Sequence, residues 1–199
     1  MKWSLFLFFV LILGIIVGYF VDIPSSFEYS SIELGLLLLL LFLIGAGIGS
    51  DQEVLSYVRK IDLISLLFPV LVAIGSILGA GLVTWLFLDF SIKEGMAVGA
   101  GFGYYSLSSL IITQIQGGEL ALIALLSNIL REIITILSAP ILVKIMGKTA
   151  PIASGGATSM DITLPAIQKY CGNQFVFLAI INGLVLSMLV PFIIPLILR

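Results

Sequence analysis

Residues 3–20, 63–88 and 174–198 contain no charged side chain. A helix needs about 20 apolar residues to cross the hydrocarbon core of a bilayer. In lipid every backbone amide must be satisfied within the protein, so runs of this length fold as spanning helices. Only 10% of the chain is charged and 60% is hydrophobic, whereas a soluble domain carries about 25% charged residues. The chain is expected to be a single all-α membrane domain over residues 1–199.

Seven hydrophobic segments follow one another: 3–20, 32–49, 63–88, 95–118, 120–143, 149–168 and 174–198. Lys2 before an apolar run is the opening of a signal peptide, but residues 3–20 lack a small-residue cleavage site and are as long as a span. They read as the first transmembrane helix. Two segments are unlike the rest. Residues 95–118 contain Gly95, Gly99, Gly101 and Gly103, and residues 149–168 contain Gly155, Gly156, Asp161 and Pro165. Broken backbone at membrane depth is tolerated only inside protein or along a wet cavity. The two segments also align: Gly103 falls on Gly156, Ser106 on Ser159 and Ser108 on Asp161, each 53 residues apart.

Loop charge separates two topologies. If all seven segments span, Lys2, Arg59, Lys60 and Lys169 lie on one side and Lys93, Lys144, Lys148 and Arg199 on the other. That shows no bias. If 95–118 and 149–168 are re-entrant hairpins, Lys144 and Lys148 join the inner group, and only Lys93 and Arg199 stay outside. This obeys the positive-inside rule. Five spans and two re-entrant hairpins are therefore expected, with the N-terminus cytoplasmic and the C-terminus external. One span separates the hairpins, so they enter from opposite faces, an inverted repeat common in secondary transporters.

Asp161 is the leading functional residue. An acid inside the membrane is costly and usually marks an ion or substrate path. Burial raises a carboxylate's pKa, which suits proton loading near neutral pH. The competing reading is a cap on a half-helix starting near Ile162. Gly155, Gly156, Ala157, Thr158 and Ser159 would offer free backbone groups before that half-helix, for a carboxylate or a cation, or form a plain turn. Tyr104, Tyr105, Ser106, Ser108 and Ser109 would meet Asp161 if the hairpin tips touch; otherwise the serines bond to helix carbonyls. Asn128, Arg131, Glu132 and Thr135 recur at helical spacing on one face. They read either as a structural ion pair with an unidentified partner or as gating and substrate contacts. Asn182 is a weaker candidate of the same kind.

Several classes are excluded. The chain has no histidine, and Cys171 is its only cysteine. No intrachain disulfide forms, and no usual zinc site or serine–histidine hydrolase can be assembled. An intramembrane aspartyl protease needs two facing aspartates, and only Asp161 lies deep in a segment. A net charge of −2 with scattered basic residues offers no nucleic-acid surface. No cofactor or metal is expected, and a transporter is expected rather than an enzyme.

At "GGATSMDITLPAIQ" the sequence resembles the lysine exporter (LysO) family. "GFGYYSLSS", "NILREIITI" and "GLVLSMLVP" fit the same family in the same order. The resemblance implies a multi-pass protein of the cytoplasmic membrane. It implies export of L-lysine and its analogues in exchange for protons, with the essential intramembrane acid at Asp161. Longer family members carry further N-terminal helices, so self-association or a small membrane subunit would supply them here. Two other readings stay open: a monovalent cation/proton antiporter, and an assembly subunit of a two-chain exporter.

Overall fold

The structure, a computed structural model, describes residues 63–87 and 90–199, with isolated positions between 13 and 46. The expected spans at 3–20 and 32–49 fall outside the described residues. Among the described residues all regular structure is helical. In chain order it comprises α1 (Leu63–Phe87), α2 (Ile92–Gly99), α3 (Tyr105–Gln116), α4 (Gly118–Met146), α5 (Ala150–Gly155), α6 (Leu164–Cys171) and α7 (Val176–Leu198). Short 3-10 turns, Gly156–Met160 and Asn173–Phe175, precede α6 and α7.

Among the described residues three helical stretches are long and apolar enough to cross a membrane: Leu66–Phe87, Gly118–Met146 and Asn173–Leu198. They coincide with the expected spans at 63–88, 120–143 and 174–198. Pro69, Pro140, Pro191 and Pro195 lie inside them, as neighbouring helices in a membrane bundle permit. α4 shows how the surface is divided. Leu122, Leu126, Leu130, Ile133, Leu137 and Ile141 are exposed, at steps of three and four residues. This continuous outward stripe suits lipid. Its opposite face buries Leu120, Ala121, Ala124, Asn128, Thr135 and Ala139.

The other helices are short. α2 has 8 residues, α3 has 12, α5 has 6 and α6 has 8. At 1.5 Å per residue even α3 reaches only about 18 Å, against a core about 30 Å thick. α2 starts at a capping box rather than in the apolar run. Ser91 Oγ accepts from the Glu94 amide at 3.2 Å, and Glu94 Oε2 accepts from the Ser91 amide at 2.8 Å. Glu94 thus closes a helix start.

Where the short pairs begin and end is also set by contacts. The Lys148 ammonium stands 5.9 Å over the Phe175 ring, so residues just before α5 and just after α6 lie together. Phe90, before α2, and Leu120, at the start of α4, line one cavity. The buried core runs through small side chains (Ala97, Ala100, Ala124 and Ala157) with Phe102, Leu186 and Val190. Small residues let backbones approach closely, which drives helix association in lipid.

Candidate functional site

The two breaks cross each other. Phe102 at φ 52°, Gly103 at φ 98° and Gly156 at φ 63° are all in the left-handed region, which glycine enters without penalty and other residues rarely do. The Ala157 amide donates to the Phe102 carbonyl at 2.7 Å, and the Gly103 amide donates to Asn128 Oδ1 at 2.7 Å. A Cβ on Gly156 would run into the Phe102 carbonyl, and one on Gly103 would lie 2.9 Å from the Gly155 carbonyl. Only glycines permit this approach. Of the residue pairs aligned by sequence, this glycine pair alone has matching surroundings. Ser106 is exposed and Ser159 buried; Ser108 is buried and Asp161 exposed.

The carbonyls at the end of α5 are satisfied one after another by side chains. Ile152 accepts from Asn182 Nδ2 at 3.3 Å. Ala153 accepts from Arg131 Nη2 at 2.9 Å, and Ser154 from Arg131 Nε at 2.7 Å. Gly155 accepts from Thr158 Oγ1 at 3.0 Å. Gly156 accepts from Ser159 Oγ at 2.7 Å and Asn182 Nδ2 at 2.9 Å. A helix end leaves four carbonyls without intrahelical partners, and hydrocarbon offers none. Arg131 also complements the negative end of the helix dipole. Its remaining contact, Nη1 to Ser76 Oγ at 3.0 Å, reaches α1.

Among the described residues Arg131 is not half of an ion pair: its partners are two carbonyls and a serine. The carbonyls of Gly155 and Gly156 are taken as above, and the Thr158 carbonyl takes the amides of Asp161 and Thr163. The cation that meets the end of α5 is Arg131.

Asp161, Thr158, Tyr105 and Ser106 line one cavity of about 120 Å³, with Gly103, Tyr104 and Ser187. Four candidate side chains are thus brought together. Asn128, Arg131, Gly155, Gly156 and Ser159 form the frame behind them. Ser159 Oγ also donates to the Ala179 carbonyl of α7 at 2.7 Å. Ser108 turns away, its hydroxyl bonded to the Tyr105 carbonyl at 3.3 Å. Ser109 likewise bonds to the Ser106 carbonyl, at 3.1 Å. Asp161 is exposed and does not cap α6. α6 starts at Leu164, with Pro165 in its first turn and Thr163 at the cap position. The 3-10 turn consumes the residues before it, and proline favours the first helical positions. Asp161 Oδ1 accepts from the Ile162 amide at 2.6 Å.

Glu132 lies within electrostatic reach of Asp161, as does Tyr104. The Glu132 Oε2 is buried without a hydrogen-bond partner among the described residues. Three supporting residues escaped the sequence reading: Ser76, Ser154 and Ser187. Ser154 carries a local signal, since it precedes the glycine pair. Its hydroxyl meets Thr135 Oγ1 at 2.6 Å. Ser76 and Ser187 are lone serines in apolar runs and carry no such signal.

Among known proteins, the chain matches the profile of the family "Lysine exporter LysO" over residues 8–198. It is 36% identical over 158 residues to "Lysine exporter LysO" of Escherichia coli (strain K12), covering 79% of this chain and 52% of that protein. It is 32% identical over 180 residues to "Putative lysine exporter" of Haemophilus influenzae, covering 90% of each. The chain thus spans about half the length of the first relative and nearly all of the second. No solved structure matches.

Proposed function

The chain belongs to the lysine exporter LysO family, and from that premise we propose that it exports L-lysine and its analogues across the cytoplasmic membrane in exchange for protons. Asp161 is the residue at which the substrate ammonium and the proton compete. One acid that holds either cation, but not both, couples the two fluxes. The observation that carries this reading is the cavity at the crossing, where Asp161 stands beside Thr158, Tyr105 and Ser106.

Glu132 supports the same reading. A carboxylate oxygen buried without a donor is costly, and such groups persist at functional sites. The Asp161–Glu132 pair gives the exchanger a second acid within electrostatic reach. The topology is proposed as two re-entrant hairpins of inverted sense, with the N-terminus cytoplasmic. It is supported by the short arms, by the Lys148–Phe175 contact at one end of α4 and by the Phe90–Leu120 cavity at the other.

The test uses everted vesicles loaded with the full chain. Added lysine is expected to drive proton movement in the unmutated protein and to drive none in Asp161→Asn. Normal lysine-driven proton movement in the mutant overturns the proposal. Proton movement driven by sodium or potassium, but not by lysine, favours a cation antiporter instead.

A further inference from the structure

Hydroxyls on membrane helices normally donate to the carbonyl one turn earlier. This chain does so repeatedly: Thr84 to Ala80 at 2.9 Å, Thr113 to Ser109 at 2.8 Å, Thr135 to Arg131 at 2.8 Å and Ser138 to Ile134 at 2.6 Å. Ser187 departs from the pattern. It is 6% exposed, and its Oγ has no hydrogen-bond partner among the described residues. A buried hydroxyl without a partner is unfavourable, so its orientation needs a reason.

Its position supplies one. Ser187 sits one turn after Gly183 on α7, and residues four apart share a helix face. A Cβ on Gly183 would lie 2.7 Å from the Ala157 carbonyl and 2.7 Å from Met160 Cβ. That face of α7 is therefore pressed against the turn leading to Asp161. Ser187 accordingly lines the same cavity as Asp161, Thr158 and Ser106. The cavity of about 120 Å³ equals roughly four water molecules in liquid volume. Sites that enclose whole small ligands are larger, about 300 Å³ or more. This one takes an end of a molecule, and its groups choose which end. They offer one carboxylate and hydroxyl lone pairs, with no cationic side chain. A primary ammonium carries three donors and one positive charge, and so matches them.

We propose that Ser187 completes, with Asp161, a subsite for the side-chain ammonium of the exported amino acid. Ser187 accepts one ammonium proton, while the carboxylate accepts another and balances the charge. The proposal rests on the export reading above and assigns its specificity. An aliphatic end in the cavity would leave the Ser187 hydroxyl as unpartnered as before, so the gain belongs to the amine alone.

The experiment is competition binding on the purified full chain, with labelled L-lysine displaced by L-lysine or by L-norleucine, which ends in a methyl group. Ser187→Ala is expected to weaken lysine about tenfold, the loss of one hydrogen bond to a charged group. Norleucine should change less than about twofold, that threshold lying well inside the tenfold expected for lysine. Equal weakening of both ligands marks a packing role and overturns the proposal, as does unchanged lysine affinity. If Ser187→Ala does not fold, Ser187→Cys is read by the same criteria, because a thiol is a weak acceptor of similar size. Loss of lysine binding in Asp161→Asn with full binding in Ser187→Ala sinks the subsite and leaves the export reading standing. No lysine binding by the unmutated chain sinks both. Displacement of lysine by sodium chloride but not by choline chloride assigns the cavity to a metal cation and overturns the proposal.

Discussion

Asn128 and Asn182 stand in the same relation to the two breaks. Each donates its side-chain amide to a carbonyl thirty residues earlier, Asn128 to Val98 at 3.4 Å and Asn182 to Ile152 at 3.3 Å. Both asparagines are buried, at 3% and 0% exposure. Each pins the arm that leads into a break from a long helix that follows it. The crossing bond from Ala157 to Phe102 then joins two frames that are already held. Asn128→Ala leaves the Gly103 amide without its acceptor, at about 1–3 kcal/mol, and Asn182→Ala removes the side-chain donor shared by Ile152 and Gly156. Hydrogen exchange is expected to quicken at residues 98–104 in Asn128→Ala and at 152–159 in Asn182→Ala. Equal protection in both variants and the parent would show that the asparagines do not hold the breaks.

Gly156→Ala is expected to be far more damaging than Gly172→Ala. Both glycines have positive φ, so both variants carry a backbone penalty of about 1–3 kcal/mol. Only Gly156 faces a carbonyl that a Cβ would strike; Gly172 has nothing within 4 Å. Gly172→Ala should fold with slightly lower thermal stability in detergent. Gly156→Ala should lose more than about 3 kcal/mol or fail to accumulate, since overpacking a closed contact adds its own cost. Similar melting temperatures for the two would contradict the crossing geometry.

Arg131→Lys should not substitute for arginine. The guanidinium reaches Ala153, Ser154 and Ser76 at once with three different nitrogens, and a lysine ammonium cannot span that fork. Arg131→Lys is expected to lose about 2 kcal/mol or more and Arg131→Ala about 3 or more, by loss of charge-assisted bonds. Full stability in the lysine variant, measured by thermal unfolding, would argue against the carbonyl-clamp role.

Glu132→Gln should separate stability from transport. The replacement keeps the shape and removes a charge whose Oε2 has no donor. Melting temperature is expected to hold or rise, while lysine-driven proton flux falls at least tenfold, the pattern of a functional group kept at a cost in stability. Unchanged flux would remove Glu132 from the coupling scheme.

The inverted hairpins predict labelling from opposite sides. In a Cys171→Ser background, a cysteine at exposed Gln116 should react with an impermeant maleimide from outside, and one at exposed Gln174 only from inside. Reaction of both from the same side would rule out the inverted topology.

The described spans and the two breaks were legible in the sequence because they depend on local quantities. Uncharged length decides whether a helix can cross lipid, glycines at 103 and 156 mark the breaks, and Pro165 marks where the next helix starts. Asp161 stands out in the sequence for the same reason, as the acid inside an apolar segment, and its role rests with the proposal above. Tertiary structure alone decided what the polar groups do. Arg131 caps a helix that starts 19 residues later, and nothing near it in sequence names those carbonyls. Ser159 and Ser106 look alike in sequence, yet one is bonded into the frame and the other opens on the cavity, because α7 covers only the first. Ser187 is one more serine in an apolar run until Gly183 brings its face against Ala157. Backbone satisfaction in a membrane is a demand on the whole fold, so the partner of each exposed helix end is chosen by packing and not by the residues beside it.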